Sequence, residues 1–194
     1  MRWETPRAGQ ARARAARHRL LAAAARSAGA RLLCLGHTLD DRIETLRMRA
    51  ARPGGETRMA GPARFDPSPA WPEGEGLILA RPFLGLTRDM LRAYLHRQRA
   101  TWIEDPSNVD AAYERVRLRS LPIDGNAAAS LLRRSDAARV ERDRLHAEAF
   151  SLIDAGCTLL AWGGIRLDAG RFAAAEIEVA LKALERLVLA ASGR

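Results

Sequence analysis

Three carboxylates and a histidine sit within one short run, Gly36-His37-Thr38-Leu39-Asp40-Asp41-Arg42-Ile43-Glu44-Thr45. On a helix, residues three or four apart are neighbours, so Glu44 shares a face with Asp41 or with Asp40. Two carboxylates beside a histidine suit Mg²⁺, a cation usually held by one or two carboxylates and by phosphate oxygens. The helix dipole alone also favours acidic residues in a first turn, so a purely structural role is open as well. Thr38 with Asp41 three residues on has the pattern of a capping box, with Asp in place of Glu.

A second constellation is Glu104-Asp105-Pro106-Ser107-Asn108, followed by Tyr113-Glu114-Arg115-Val116-Arg117-Leu118-Arg119. Asp, Ser and Asn around a proline satisfy local backbone groups in a turn. Alternating arginines form either a solvated face or a phosphate clamp, for which the guanidinium fork is suited. Neither constellation decides a function in isolation.

The elements that must position these residues follow from the pattern. Residues 10–28 are rich in Ala, Arg and Leu without a breaker and predict a helix ending near Gly29. Arg31 to Leu35 is a short apolar run closed by Gly36, which predicts a strand buried on both faces, with Cys34 as a small buried residue. Thr38 then opens a helix to about Arg52. Strand, polar turn and helix make half of a βαβ unit, and in open α/β sheets ligands sit beyond the carboxyl ends of the strands, where His37 and Asp41 fall. Residues 53–75 read as a Pro/Gly-rich loop. Leu77 to Ala80 predicts a second strand, and Thr87 caps a helix to about Gln98 with Leu91, Tyr94 and Leu95 on one face. Further on, residues 126–155 predict one long helix, Cys157–Trp162 and Ile165–Leu167 a β-hairpin across Gly163-Gly164, and residues 174–191 a final amphipathic helix. A boundary near Pro122 to Gly125 divides residues 1–122, an α/β domain, from residues 123–194, a mainly helical domain with a short hairpin.

Composition sets the outer bounds. With 47% hydrophobic residues in 194, the chain is long and apolar enough to bury a core. No apolar run reaches the roughly 18 residues of a membrane span, and Met1 to Pro6 carries no apolar signal-peptide stretch. Cys34 and Cys157 have neither metal-ligand spacing nor a disulfide framework, so the expectation is a reduced, cytoplasmic protein without a membrane partner. The net charge is +9, and Lys182 is the only lysine among 32 basic residues. That balance favours a polyanionic partner through counterion release, although an Arg- and Ala-rich composition also follows from genomic base content.

Taken in order, the motifs resemble the tRNA(Ile)-lysidine synthetases of the PP-loop ATP-pyrophosphatase superfamily. That family shows A-R-x-x-R-Y, then H-H-x-D-D-Q-x-E-T, then M-R-x-x-R-G-S-G, an R-P-L-L strand end, and D-P-S-N with R-N-R-x-R behind it. The positions here are Ala13 to His18, His37 to Thr45, Met48 to Gly55, Arg81 to Leu84, Asp105 to Asn108 and Arg115 to Arg119. The likeness holds from residue 1 to about 122 and is looser beyond. Departures are Thr38 for the second histidine, Arg42 for the glutamine, Arg52-Pro53-Gly54-Gly55 for R-G-S-G, and Val116 for the asparagine. The superfamily's phosphate loop, S-G-G-x-D-S, does not occur in the 194 residues.

The resemblance implies an incomplete Rossmann-like, parallel-sheet nucleotide-binding domain followed by a mainly helical one. It also implies ATP and Mg²⁺ as cofactors, with tRNA and free lysine as partners. Family members adenylate the C2 carbonyl oxygen of the wobble cytidine in an isoleucine tRNA, and the ε-amine of lysine then displaces AMP. By motif position, Asp41 and Glu44 are the site carboxylates, contacting metal or the amine, with His37 beside them. Arg17 and Arg14 face the phosphate or adenylate. Arg115, Arg117, Arg119, Asn108, Arg49 and Arg52 face tRNA. The competing readings are a truncated or degenerate family member that binds tRNA without catalysis, a basic helical adaptor, and a tRNA thiolase of the same superfamily, which needs paired cysteines.

Overall fold

A computed structural model describes residues 10–103, 118, 121 and 123–191. It divides into two compact units, one of residues 1–53 and 61–132, the other of residues 54–60 and 133–194.

The first unit opens with helix α1 (Gln10–Ser27). Its alanines make a flat surface, and Ala22 and Ala25 pack with Leu77 and Ala70 against Leu33. The helix stops where Gly29, at φ +66°, takes the left-handed conformation that a glycine adopts without a Cβ clash. Ala30 N–H then bonds Ala25 O and Gly29 N–H bonds Arg26 O, a Schellman closure of the last turn. Strand β1 (Leu32–Cys34) follows and pairs in parallel with β3 (Ile78–Ala80), Leu33 opposite Leu79. The second neighbour of β3 is β2 (Phe65–Pro67), antiparallel, so the strand order is β1-β3-β2. Between β1 and β3 lies helix α2 (Leu39–Ala50), and after β3 comes α3 (Arg88–Arg97).

Three expectations change here. β1 is not buried on both faces: among the described strands it lies at the edge, and only Leu33 turns toward α1, while Leu32 and Cys34 face outward. Side chains alternate along a strand, so one covering layer hides only every second residue. The stretch 53–75 is not all loop. It holds a 3₁₀ turn over Glu56–Met59 and the strand β2, whose Asp66 and Pro67 gave no alternating apolar signal. Tyr94 does not share a covered face with Leu91 and Leu95, being more than half exposed.

The second unit is built on α4 (Gly125–Gly156), which begins in the first unit, with the hairpin β4 (Cys157–Leu159) and β5 (Ile165–Leu167) at its end. The predicted last helix, 174–191, is α6 (Ile177–Ala191), and ahead of it stands a short helix that the sequence pattern does not announce, α5 (Ala169–Ala174). Asp168 caps α5 by accepting from Arg171 N–H. Leu145 and Ala149 of α4 meet Val179 and Ala183 of α6, and Ala149 and Ala183 are fully buried, so small side chains fill the centre of this contact. No described helix is long and apolar enough to cross a membrane.

Candidate functional site

Parallel pairing of β1 with β3 brings both strands' carboxyl ends to one edge of the sheet, and each delivers a loop and a helix there. Leu39 N–H donates to Leu86 O at 2.9 Å, which ties the two loops together just before α2 and α3 begin. From the first loop come His37, Thr38, Asp40, Asp41 and Glu44. From the second come Arg81 and Arg88.

Thr38 is the N-cap of α2, and the capping box is complete. Thr38 N–H donates to Asp41 Oδ2 at 2.9 Å, and Asp41 N–H reaches Thr38 Oγ1 at 3.4 Å. Oδ1 of Asp41 is engaged elsewhere: Arg88 Nη2 donates to it at 2.5 Å, while Arg88 Nη1 donates to Glu44 Oε1 at 3.1 Å. Glu44 is buried, its side chain 6% exposed, whereas Arg88 and Asp41 are about a quarter exposed. The third carboxylate, Asp40, accepts the Arg88 backbone N–H at 2.8 Å and so caps α3 from outside. Burial pushes the Asp41 carboxyl up, but the Thr38 N–H and the Arg88 charge outweigh it and hold the group below its ordinary value. Burial likewise opposes the Arg88 charge, and Asp41 and Glu44 more than restore it.

A second knot lies beside the first. Arg81, 4% exposed, donates through Nη1 to Asp66 Oδ2 and to Ala63 O, and through Nε to His37 Nδ1 at 3.2 Å. A ring nitrogen that accepts is unprotonated, so His37 stands here as a neutral imidazole with its proton on Nε2. The strand β2 that sequence reading missed supplies Asp66, without which a buried guanidinium would lack a counter-ion.

On α1, Arg14 and Arg17 are exposed and His18 is buried. Burial, and then the charges of Arg14, Arg17 and Arg81, hold the His18 imidazole below its ordinary value. His18 Nδ1 is buried without a hydrogen-bond partner. Arg14, Arg17 and Arg81 thus all lie near enough to act on the His18 ring.

Sequence reading named Asp41, Glu44 and His37, and the first two share one guanidinium. It passed over Arg88 and gave Arg81 no role. Arg88 carried a signal: it is the first residue of α3, where the helix dipole disfavours a cation, so an acidic partner was to be expected. Arg49 lies half-buried on α2 and Arg52 exposed just after it. Arg47 of α2, also unnamed, donates through Nη1 to the carbonyls of Leu118 and Leu121 at 2.8 and 2.9 Å. Asn108, Arg115, Arg117 and Arg119 lie outside the described residues.

The pair Asp41 and Glu44, as it stands, suits a single positive charge of the ammonium or guanidinium kind. Mg²⁺, usually held by one or two carboxylates together with phosphate oxygens, would meet these oxygens only once Arg88 left them. The Asp41 and Glu44 oxygens bonded to Arg88 are held by a cation, and Oδ2 of Asp41 by a helix cap. Among the described residues, one set of three acidic groups is close enough to share an ion, Glu141, Glu176 and Glu178. It belongs to the second unit, where Arg144 already bonds Glu141 and Glu176.

Residues 4–123 match the PP-loop domain family. Curated relatives are tRNA(Ile)-lysidine synthases. One from Mesorhizobium japonicum is 40% identical over 190 residues, covering 94% of this chain and 40% of the relative. Another, from Caulobacter vibrioides, is 49% identical over 118 residues, 60% of this chain and 28% of the relative. A third, from Hyphomonas neptunium, is 46% identical over 112 residues, 58% of this chain and 30% of the relative. The chain therefore spans well under half the length of these relatives. With its motifs in order and a match over residues 4–123, the chain belongs to the PP-loop domain family, among the relatives of the tRNA(Ile)-lysidine synthases.

Proposed function

We propose that this chain forms the amine- and tRNA-facing part of an ATP-dependent ligase that makes lysidine at the wobble cytidine of an isoleucine tRNA. The observation that carries the reading is the Asp41 and Glu44 pair gathered around a cation at the carboxyl ends of two parallel strands. Carboxylates cannot attract RNA phosphates, so their use in such an enzyme is to receive a cationic amine. With Glu44 buried and Asp41 about a quarter exposed, they orient the ε-amine of lysine toward the base, and holding reactants in place lowers the barrier by removing the entropy of encounter. ATP adenylates the C2 carbonyl oxygen of the cytidine with release of pyrophosphate, and the ε-ammonium, once it has given up a proton, attacks C2 as the amine and displaces AMP. Arg14 and Arg17, with Arg81 behind them, offset the negative charge on the phosphate. Arg49, Arg52, Asn108, Arg115, Arg117 and Arg119 contact tRNA. Such chemistry belongs in the cytoplasm, where tRNA and free lysine meet.

The phosphate loop S-G-G-x-D-S is absent from these 194 residues, so we expect them alone neither to bind ATP tightly nor to make lysidine. The test joins the chain behind the amino-terminal segment of the Mesorhizobium japonicum relative and follows transfer of labelled lysine to isoleucine tRNA. Glu44→Gln should abolish transfer and leave tRNA affinity near its starting value. Normal transfer in the variant, or label transferred by the 194 residues alone, would refute the corresponding claim.

A further inference from the structure

If Asp41 and Glu44 receive an amine, the amine must contend with a cation already there. Arg88 holds Asp41 Oδ1 and Glu44 Oε1 at once, and the other Asp41 oxygen is committed to the Thr38 cap. A second cation therefore cannot bridge the pair while the guanidinium is in place. Arg88 is also set where it is easy to release: its side chain reaches solvent, and it occupies the first position of α3, where the helix dipole disfavours positive charge. The anchoring of α3 does not depend on that side chain, because Thr87 caps the helix and Asp40 takes the Arg88 backbone N–H.

We infer that Arg88 is a resident counter-ion of the amine site, closing the Asp41 and Glu44 pair until the substrate ammonium displaces its guanidinium. This rests on the proposed reading of the pair as an amine site. The arrangement sets an opposite charge beside the buried Glu44 carboxylate before substrate arrives. It also screens the site against adventitious cations: a ligand must outcompete an intramolecular guanidinium, which a diffuse monovalent ion does not do.

The test measures binding of L-lysine to the 194-residue chain by calorimetry, with norleucine, which lacks the side-chain ammonium, as control. Arg88→Met removes the charge and keeps an unbranched stem. We expect it to bind lysine about tenfold more tightly than the parent, the factor that follows if the guanidinium holds the pair about nine-tenths of the time. Adding Glu44→Gln to Arg88→Met should erase the gain. Lysine binding that needs Glu44 but is no tighter in Arg88→Met overturns the counter-ion role and leaves the amine reading standing. Binding that needs neither Glu44 nor Asp41 overturns both. Should Arg88→Met fail to fold, the parent chain still decides the matter. Saturating lysine must free the Arg88 Nη ¹⁵N signals from hindered rotation, and lysine bound with those signals unchanged rules the displacement out.

Discussion

Asp41 has two occupations, one per oxygen: Oδ2 closes the capping box of α2, and Oδ1 pairs with Arg88. A site role and a structural role are therefore not alternatives at this residue, and Asp41→Asn tests both at once. Asparagine can still accept from Thr38 N–H but loses the charge that faces Arg88. We expect it to cost about 1 kcal/mol of stability, read from the shift of the denaturant midpoint. The pH dependence has a definite sign. Because the folded state holds the Asp41 carboxyl below its ordinary value, its ionised form stabilises the fold above that value, and the contribution drains away as pH falls through the folded one. Urea titrations should thus find the parent losing stability below about pH 4 faster than Asp41→Asn does. Parallel acid limbs in the two proteins would show that Asp41 is not held down in the fold. Glu44 takes no part in the capping box, which makes it the cleaner probe of function.

At the scale of elements, the two strand-loop-helix passages are built alike, and each helix starts on a threonine cap. The ends of α1 and α3 also match. Ala100 N–H bonds Leu95 O and Arg99 N–H bonds His96 O, the same Schellman closure that Gly29 makes after α1. Here the left-handed position is occupied by Arg99, at φ +51°, where an L-residue crowds its own Cβ. Arg99→Gly should therefore raise stability by about 0.5–1 kcal/mol, measured by thermal or urea unfolding, and a loss of stability would mean that the Arg99 side chain holds something of value. In the second unit, α4 and α6 meet at Ala149 and Ala183, both fully buried. Ala183→Leu should force them apart at a cost of about 1–3 kcal/mol, and an unchanged melting temperature would contradict this close packing.

For the whole molecule, a net charge of +9 carried almost entirely by arginine favours a polyanionic partner through counterion release, and on the proposed reading that partner is tRNA. Affinity for tRNA should fall steeply with salt. Changing Arg115 and Arg117 to Ala should flatten the slope of log affinity against log salt by up to about one unit per lost phosphate contact. Filter binding over a salt series reads this directly, and an unmoved slope would make those arginines a solvated face.

Sequence alone determined a good deal of this protein. Apolar runs closed by Gly36 and Arg81-Pro82 marked both parallel strands, Thr38 and Thr87 marked the helix starts, and the order of motifs marked the family. These features are local in the chain, and short-range chemistry writes them plainly: a cap needs a hydroxyl, a left-handed turn tolerates glycine, and a helix face repeats every three or four residues. What the tertiary structure decided were the partners. That Glu44 and Asp41 share Arg88, 44 and 47 residues away, follows from the parallel register of β1 on β3, which no local pattern encodes. The same is true of Arg81, whose counter-ion comes from β2, and of β1, whose apolar run predicts burial on both faces but which is an edge among the described strands. Charge pairing is set by where strands end in space, and that is a property of the sheet.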